Sequence, residues 1–403
     1  MSSRTRRSIL LQDVRPWGGA PTDITIEDGV ITALAPHRAD APAPEGGDRL
    51  DGRGLLALPG LINSHAHVDK SWWGKPWVSY GGEATTQGRI AHERAERGAL
   101  GIPSTDSTEL VMQEFLRHGT TATRTHVDVD LGVGLDGIAS VRAAAERLDG
   151  ALEVEIVAFP QDGVIRRPGV LELLDRAAQE GAASIGGLDP AGIDRDPVAQ
   201  LDGLVEIAVH REVGLDIHIH DGNDLGVFQF ELLAERTVQA GLQGRVTVSH
   251  GFALGDVSGT RQTELVAALA EAGISWASVA PPGRGRLPWA SMREHGLRLG
   301  LGTDGIRDLW SPYGDGDMLR IALGFARLHG LRYDEELVDA VRLTSTDSAS
   351  FVHRDQHDLV VGSRADVVLV DAENVPDALL RAARREVVLA GGRVVVEGGE
   401  LAL

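Results

Sequence analysis

The 403-residue chain has no cysteine, only two lysines (Lys70 and Lys75) and no long uninterrupted apolar run. Without cysteine there is neither a disulfide nor a thiolate ligand, so a metal ion has to be bound by His, Asp or Glu. No stretch approaches the ~18 apolar residues of a membrane span, and the beginning, MSSRTRRSIL, lacks the apolar segment of a signal peptide. These absences predict a cytoplasmic protein without a membrane anchor.

The charge balance excludes further classes of partner. The chain has 59 acidic and 39 basic residues, which gives a formal net charge of −20. Such a charge repels nucleic acid and anionic membranes, so we expect no nucleic-acid or membrane partner. The hydrophobic fraction of 42% is enough for one large domain with an additional small one.

From residue 104 onward, strand-like runs alternate with amphipathic helices that stop at a glycine. Glycine is favoured just past a helix end, because the backbone there adopts positive φ. The glycines are Gly119, Gly150, Gly181, Gly214, Gly241, Gly273, Gly296 and Gly330. With ALPGLINSHAH (57–67) the runs make eight strands, which predicts an α/β fold with a (β/α)8 TIM barrel over residues 59–357. The alternative, an open doubly wound sheet, has no glycine-rich dinucleotide motif to support it.

The two ends of the chain have a different pattern. Residues 1–58 and 358–403 contain short alternating strands joined by Asp-Gly or Gly-Gly, as in DITIEDGVITAL and EVVLAGGRVVVEGG. These dipeptides between alternating runs are typical of β-hairpins. We therefore expect the two ends to pair into one small β-sandwich domain beside the barrel.

Histidines concentrate where a barrel builds its active site, at the C-terminal ends of the strands. Six of the 14 histidines follow or end strands 1, 2, 5 and 6, and strand 8 ends in an aspartate. These residues are His65, His67, His126, His218, His220, His250 and Asp304.

A His-x-His pair on a strand places both rings on one face, because side chains alternate with period two. Chance predicts about half of one such pair in this composition, whereas the chain has two, at 65/67 and 218/220. His65, His67, His218 and Asp304 together form a ligand set suited to zinc or iron, with one position left open. The alternative is a set of histidines packed in the barrel rim.

Several motifs, taken together, resemble the amidohydrolase superfamily over the barrel and both β ends. They are PGLINSHAHVDK (59–70), the strand-5 histidine, Ser249-His250 and Thr303-Asp304. RTHVDVD (124–130) and IVAFPQDG (156–163) resemble cytosine deaminase. GGLDP (186–190), HIHD (218–221) and TDGIRDLWSPYGDGDM (303–318) resemble the N-isopropylammelide isopropylaminohydrolase branch.

The resemblance implies roles for individual residues. His65, His67, His218 and Asp304 are metal ligands, and Asp304 also moves a proton from the attacking water to the leaving amine. His250 stabilises the tetrahedral centre, and Asp221 protonates the ring nitrogen. The expected substrate-binding residues are Lys70, Gln161, His220, Asp189 and Trp310. Superfamily members with two metals bridge them through a strand-4 lysine, which is missing here, so we expect one divalent ion, zinc in the first place with iron as the alternative.

The expected function is a metal-dependent aminohydrolase that cleaves an exocyclic C–N bond of a cytosine-like or triazine-like ring and releases ammonia or an amine. Two alternatives stay open. One is hydrolysis of a cyclic amide such as a hydantoin or dihydropyrimidine, and the other is a non-catalytic barrel that serves as a binding scaffold. The resemblance is also compatible with a homo-oligomer, for which the residues themselves give no evidence.

Overall fold

The computed structural model describes residues 8–281 and 285–403. The first seven residues of the predicted small domain lie outside this part. The chain begins with four strands that form one half of a sheet: β1 (Ser8–Pro16), β2 (Thr22–Glu27), β3 (Val30–Pro36) and β4 (Asp48–Pro59).

The barrel follows, with strands and helices in alternation. Its first half comprises β5 (Leu61–His67), α1 (Thr86–Glu96), α2 (Thr105–Arg117), β6 (Thr120–Asp128), α3 (Asp136–Arg147), β7 (Glu153–Phe159), α4 (Val170–Gln179) and β8 (Ser184–Leu188). Its second half comprises α5 (Pro197–Arg211), β9 (Gly214–Ile219), α6 (Asn223–Gln239), β10 (Val246–His250), α7 (Gly259–Glu271), β11 (Ile274–Ser278), α8 (Trp289–Glu294), β12 (Arg298–Leu301), β13 (Asp304–Gly305), α9 (Met318–His329) and α10 (Asp334–Arg342).

The remaining elements return to the first sheet. They are β14 (Val367–Val370), α11 (Val375–Arg381), β15 (Arg385–Ala390), β16 (Arg393–Glu397) and β17 (Glu400–Leu401). The strand order β17-β16-β15-β14-β4-β1-β2-β3 shows that β14 pairs with β4, so the two ends of the chain build one sheet. The fold is thus a TIM barrel with a small β domain. The boundaries at residues 58/59 and 357/358 remain a prediction.

The barrel closes through a strand made of two pieces. β12 pairs with β11, and after Gly302 and Thr303 the chain continues as β13, which pairs in parallel with β5. The ring of eight strands is therefore complete, and its last piece carries Asp304 beside Ala66 of the first strand. This closure brings the two ends of the barrel sequence together at the C-terminal rim.

Alternation along the shared sheet separates two cores. Leu56 and Leu58 of β4 pack into the barrel core, whereas Ala57 between them faces the core of the small domain. Val368 and Leu369 of β14 divide in the same way. Side chains on a strand point alternately to the two faces of its sheet. The same sheet therefore contributes side chains to both cores.

Helix ends follow the sequence signals with one exception. Seven of the eight glycines have positive φ, from 67° at Gly273 to 94° at Gly181. At Gly214 the prediction was wrong, because the left-handed residue after α5 is Glu212 (φ 58°) and Gly214 already starts β9. There a Cβ would lie 2.6 Å from Ser184 Oγ, so the glycine is required for close strand packing. Within the described ranges, the helices are all too short or too polar to cross a bilayer.

Candidate active site

A cavity of about 290 Å³ opens at the C-terminal ends of the barrel strands. Its wall contains His67, His218, His220, His250 and Asp304. Lys70, Gln161, Trp310 and Asp308 also belong to the wall. The structure therefore brings most of the predicted site residues to one place.

The first part of the site, called here the imidazole cluster, consists of His65, His67, His126, His218, His250 and Asp304. Oδ1 of Asp304 lies 3.3 Å from His67 Nε2 and 3.7 Å from His65 Nε2. The ring centroid of His65 is 4.8 Å from the centroids of both His218 and His250. Ligand atoms of His65, His67, His126 and His218 lie within 4.8 Å of one another, as do those of His65, His250 and Asp304.

The imidazole cluster meets the requirements of a divalent cation. Buried nitrogens of His65 (Nε2), His67 (Nδ1) and His218 (Nδ1 and Nε2) have no hydrogen-bond partner among the described residues. Burial, together with the charge of Lys70 or the neighbouring imidazoles, holds the pKa of His67 and His218 well below the ordinary value. Neutral imidazoles with unpaired nitrogens are the form of histidine that binds a metal.

The backbone at the cluster is unusual. His250 has a φ of 65° and Asp304 a φ of 61°, although both are non-glycine residues at strand ends. Left-handed backbone at such residues is uncommon and concentrates at functional sites, where the surrounding structure holds it. Here it turns the two side chains inward at the rim of the barrel.

Ser249 and Asp216 tie the cluster to the barrel interior. His65 Nδ1 lies 3.0 Å from Ser249 Oγ, and this hydroxyl donates to Asp216 Oδ1 at 2.5 Å. Because the single hydroxyl proton goes to the carboxylate, Ser249 accepts from His65 Nδ1–H, which leaves His65 Nε2 as the open lone pair. Asp216 was not among the predicted site residues, although its position two residues before His218 was an available signal.

His126, whose role the sequence left open, belongs to the same interior network. Its Nε2 lies 3.2 Å from Asp216 Oδ2, which also accepts from Arg124 Nη1 at 3.2 Å. Burial and the neighbouring His65 lower the pKa of His126 to about 4, so its ring is neutral. Both ring nitrogens of His126 lack a hydrogen-bond partner among the described residues, and its ligand atom lies within 4.8 Å of those of His65, His67 and His218, so it is a further candidate ligand.

His220 and Asp221 follow His218 and point to different places. Asp189 accepts from the His220 backbone N–H at 2.5 Å and lies 3.0 Å from its Nδ1, so it holds this ring at the cavity wall. The Asp221 carboxylate instead accepts from the backbone N–H of Gly192 and from Gln229 Nε2, each at 3.0 Å. The structure therefore brings His220 to the cavity and does not bring Asp221 there. Both oxygens of Asp189 are engaged by His220, and Oδ1 also accepts from the Asp221 backbone N–H at 3.2 Å.

The second part of the site, called here the lysine wall, consists of Lys70, Gln161, Trp310, Glu93, Asp128 and Asp308. Lys70 Nζ donates to Gln161 Oε1 at 2.5 Å and lies 3.0 Å from Asp128 Oδ1. Burial alone lowers the pKa of Lys70, but the carboxylates of Asp128 and Glu93 outweigh it and raise this pKa, so the ammonium is charged. Glu93 lies on α1 outside every motif, and no signal in the single sequence pointed to it.

Comparisons with known proteins agree with this geometry. Residues 88–396 match the model of the amidohydrolase family. N-isopropylammelide isopropyl amidohydrolase of Pseudomonas sp. (strain ADP) is 28% identical over 370 residues, which cover 87% of this chain and 88% of that protein.

Two solved structures are similar over nearly their whole length. N-isopropylammelide isopropylaminohydrolase from Burkholderia multivorans has a TM-score of 0.93 and 37% identity, with 98% of this chain and 100% of that chain covered. 5-Methylcytosine deaminase from Klebsiella pneumoniae has a TM-score of 0.82 and 25% identity, with 97% and 98% covered.

Proposed function

The chain belongs to the amidohydrolase family and is a hydrolase of carbon–nitrogen bonds, and we propose that it removes an amine from a carbon of a six-membered, oxo-substituted nitrogen heterocycle. One observation carries this proposal. Members of the imidazole cluster and of the lysine wall line the same cavity, so a cation-binding group and a hydrogen-bonding wall would both face a ring placed in it. The relatives from Burkholderia and Klebsiella, whose names describe reactions on such rings, support the same chemistry.

The proposal includes one divalent metal ion per chain, zinc in the first place and iron as the alternative. His65, His67, His218 and Asp304 would hold it, since their unpaired nitrogens and carboxylate oxygens converge. A divalent ion at such a site supplies Lewis acidity and makes water more acidic. The absence of any lysine after Lys75 and the engagement of Asp189 by His220 argue against a second, bridged ion.

The other steps fall to the chain's own groups. Asp304 takes a proton from the attacking water and passes it to the leaving amine. The water oxygen bonds to the ring carbon, the C–N bond breaks, and a carbonyl remains. His250, whose ring lies 5.0 Å from that of His218, stabilises the oxygen of the tetrahedral centre. His220, held by Asp189, protonates the adjacent ring nitrogen and regains a proton from the hydroxyl of the tetrahedral centre when the carbonyl forms. This role replaces the one that the sequence suggested for Asp221.

The side chains of the lysine wall indicate the class of substrate. Lys70 offers a charged donor, Gln161 an amide, and Trp310 and Phe159 flat surfaces, with Lys70 Nζ 5.6 Å from the Phe159 ring centre. A planar ring with a carbonyl oxygen fits these groups. We expect triazines or modified pyrimidines to be better substrates than cytosine.

An amine-release screen tests the proposal. Zinc-, iron- and manganese-loaded protein is incubated with cytosine, isocytosine, 5-methylcytosine, ammelide and N-alkylammelides, and released ammonia or amine is measured. We expect release from at least one oxo-substituted ring, and none from a His65→Ala, His67→Ala double variant. Ring opening of hydantoin or dihydrouracil without amine release would contradict the proposal in favour of a cyclic amide hydrolase.

A further inference from the structure

Asn63 is a completely buried side chain of the first barrel strand that no step of the proposed reaction uses. It lies on β5, two residues before His65. Beside it runs the segment 302–303, which joins β12 to β13 and leads into Asp304. A buried amide needs partners for its polar atoms, because an unpaired donor or acceptor away from water costs free energy.

The Asn63 amide finds its partners on both sides of this barrel seam. Its Oδ1 accepts from the backbone N–H of Thr303 at 3.1 Å and from that of His65 at 3.3 Å. Its Nδ2 donates to Thr303 Oγ1 at 2.8 Å, and this hydroxyl donates in turn to the carbonyl oxygen of Asp304 at 3.0 Å. One side chain therefore joins the strand of two histidine ligands to the residue that precedes the carboxylate ligand.

The chemistry of the partners determines the orientation of the amide. A backbone N–H can only donate, so the amide atom that faces Thr303 N and His65 N has to be the oxygen. The NH₂ group then faces Thr303 Oγ1, which accepts from it and keeps its single hydrogen for the Asp304 carbonyl. The reversed amide would place donors against two donors. This pairing therefore fixes residue 303 against β5.

The fixed segment is closely packed and has an unusual backbone. A Cβ at Gly302 would lie only 2.4 Å from the carbonyl oxygen of His65, so the two chain segments are in contact. Asp304 has a φ of 61°, and such left-handed backbone at a non-glycine residue persists only where neighbouring groups hold it. Ser64, between Asn63 and His65, instead bonds to Ser348 Oγ at 2.8 Å. The clamp on the Asp304 segment is thus made by Asn63.

We propose that Asn63 is a positioning residue that fastens the segment carrying Asp304 to the strand carrying His65 and His67, and that it thereby sets the affinity of the site for a divalent ion. The inference rests on the proposed function, because it takes these three residues as ligands. It deepens that function by naming a group that orients the ligands from behind the cavity wall.

Competition between the protein and a chelator for zinc tests the inference, at a temperature where every variant is folded. Asn63→Ala removes both ends of the clamp, so zinc affinity should fall by about 10- to 100-fold, as for other groups that orient metal ligands. Thr303→Val removes only the hydroxyl, so we expect a smaller fall of about three- to tenfold, the effect of one lost hydrogen bond. This variant serves if Asn63→Ala folds poorly.

Three controls separate positioning from general loosening of the barrel. Thr303→Ser keeps both the hydroxyl and the backbone N–H, so it should bind zinc like the wild type. Ser64→Ala removes a buried hydrogen bond from the same strand; it should lower Tm but change zinc affinity less than about twofold, because it shares no partner with Asn63. Adding Thr303→Val to Asn63→Ala should weaken binding less than about twofold further, because both changes break one contact.

The outcomes are distinct. Zinc affinity of folded Asn63→Ala equal to that of the wild type overturns the inference, as does an equal fall in Ser64→Ala. Additive losses from Asn63→Ala and Thr303→Val would contradict the clamp, and wild-type protein without affinity for zinc would overturn the metal site with it. Failure of the proposed reaction appears elsewhere, as a lack of amine release from every ring, since zinc competition needs no substrate.

Discussion

The imidazole cluster and the lysine wall share a cavity but are built in opposite ways. In the cluster, at least one nitrogen of each of His65, His67, His126 and His218 is left without a hydrogen-bond partner among the described residues. In the wall, Gln161 accepts a hydrogen bond from Lys70 and donates one to Glu93. A cation site has to leave the lone pairs of its ligand atoms free, because these lone pairs coordinate the ion. A recognition surface has to be rigid, and mutual hydrogen bonds between buried groups make it so.

The two parts also differ in charge. In the cluster, burial and neighbouring charged groups lower the pKa of His67, His218 and His250, so these imidazoles bind protons weakly. The wall has more carboxylates than cations, and burial raises the pKa of Asp308 to about 7. Changes in the cluster should therefore affect metal binding and chemistry, whereas changes in the wall should affect ring binding and the response to pH.

The largest effect should come from removing two cluster ligands. In the His65→Ala, His67→Ala double variant we expect loss of the bound ion and a decrease in turnover of at least roughly 10³-fold, because the metal supplies several kcal/mol of transition-state stabilisation. Elemental analysis should find close to one divalent ion per wild-type chain. Two tightly bound ions in active enzyme would contradict the single-metal proposal.

A large but smaller effect should distinguish His220 from Asp221. His220→Asn should reduce kcat about 10²-fold, the range for a lost acid–base group, with metal content retained. Asp221→Asn should reduce it less than about tenfold, because its carboxylate contacts Gly192 and Gln229 instead of the cavity. The reverse order in steady-state kinetics would return the proton transfer to Asp221.

A change beneath the cluster should weaken metal binding without removing a ligand. Ser249→Ala leaves the His65 Nδ1–H without its acceptor, so we expect zinc affinity to fall by about 10- to 100-fold, as for other groups that orient metal ligands. Competition with a chelator measures this affinity. Ser275→Ala on β11, whose hydroxyl accepts from Arg298 Nε, is the control and should bind zinc normally. Equal affinities in the two variants would remove Ser249 from the metal site.

The smallest effect concerns the pH dependence of stability. The Asp308 carboxyl has a folded pKa of about 7, against 3.8 as its ordinary value. Between these values the folded protein holds a proton that the unfolded chain has lost, so the free energy of unfolding falls as pH rises, by up to ~1.4 kcal/mol per pH unit. Asp308→Asn should lessen this fall, and it keeps the Oδ1 that accepts from Trp310 N and Ser311 N.

Thermal melting of chelator-treated protein from pH 5 to pH 8 measures the difference. The exposed Asp371→Asn variant in the small domain should follow the wild-type curve. Parallel curves for wild type and Asp308→Asn would mean that Asp308 is ionised over the whole range.

The sequence by itself determined the parts that depend on local spacing. Period-two spacing placed His65 with His67 and His218 with His220, and the glycines after helices indicated the repeating units of the barrel. The eight strands, and the two ends that join into one sheet, follow the predicted pattern. Such features are encoded over a few neighbouring residues, because strand and helix periodicity act at that range.

Only the tertiary structure decided which distant side chains meet. Glu93 and Gln161 are 68 residues apart, and Ser249 and Asp216 are 33 apart. His220 and Asp221 are adjacent, yet one is held by Asp189 at the cavity and the other is drawn to Gly192 and Gln229. Their directions depend on partners that the fold supplies from other loops and helices, and buried polar groups turn toward whichever partner satisfies them. The spacing of residues along the chain therefore does not predict which partner each side chain contacts.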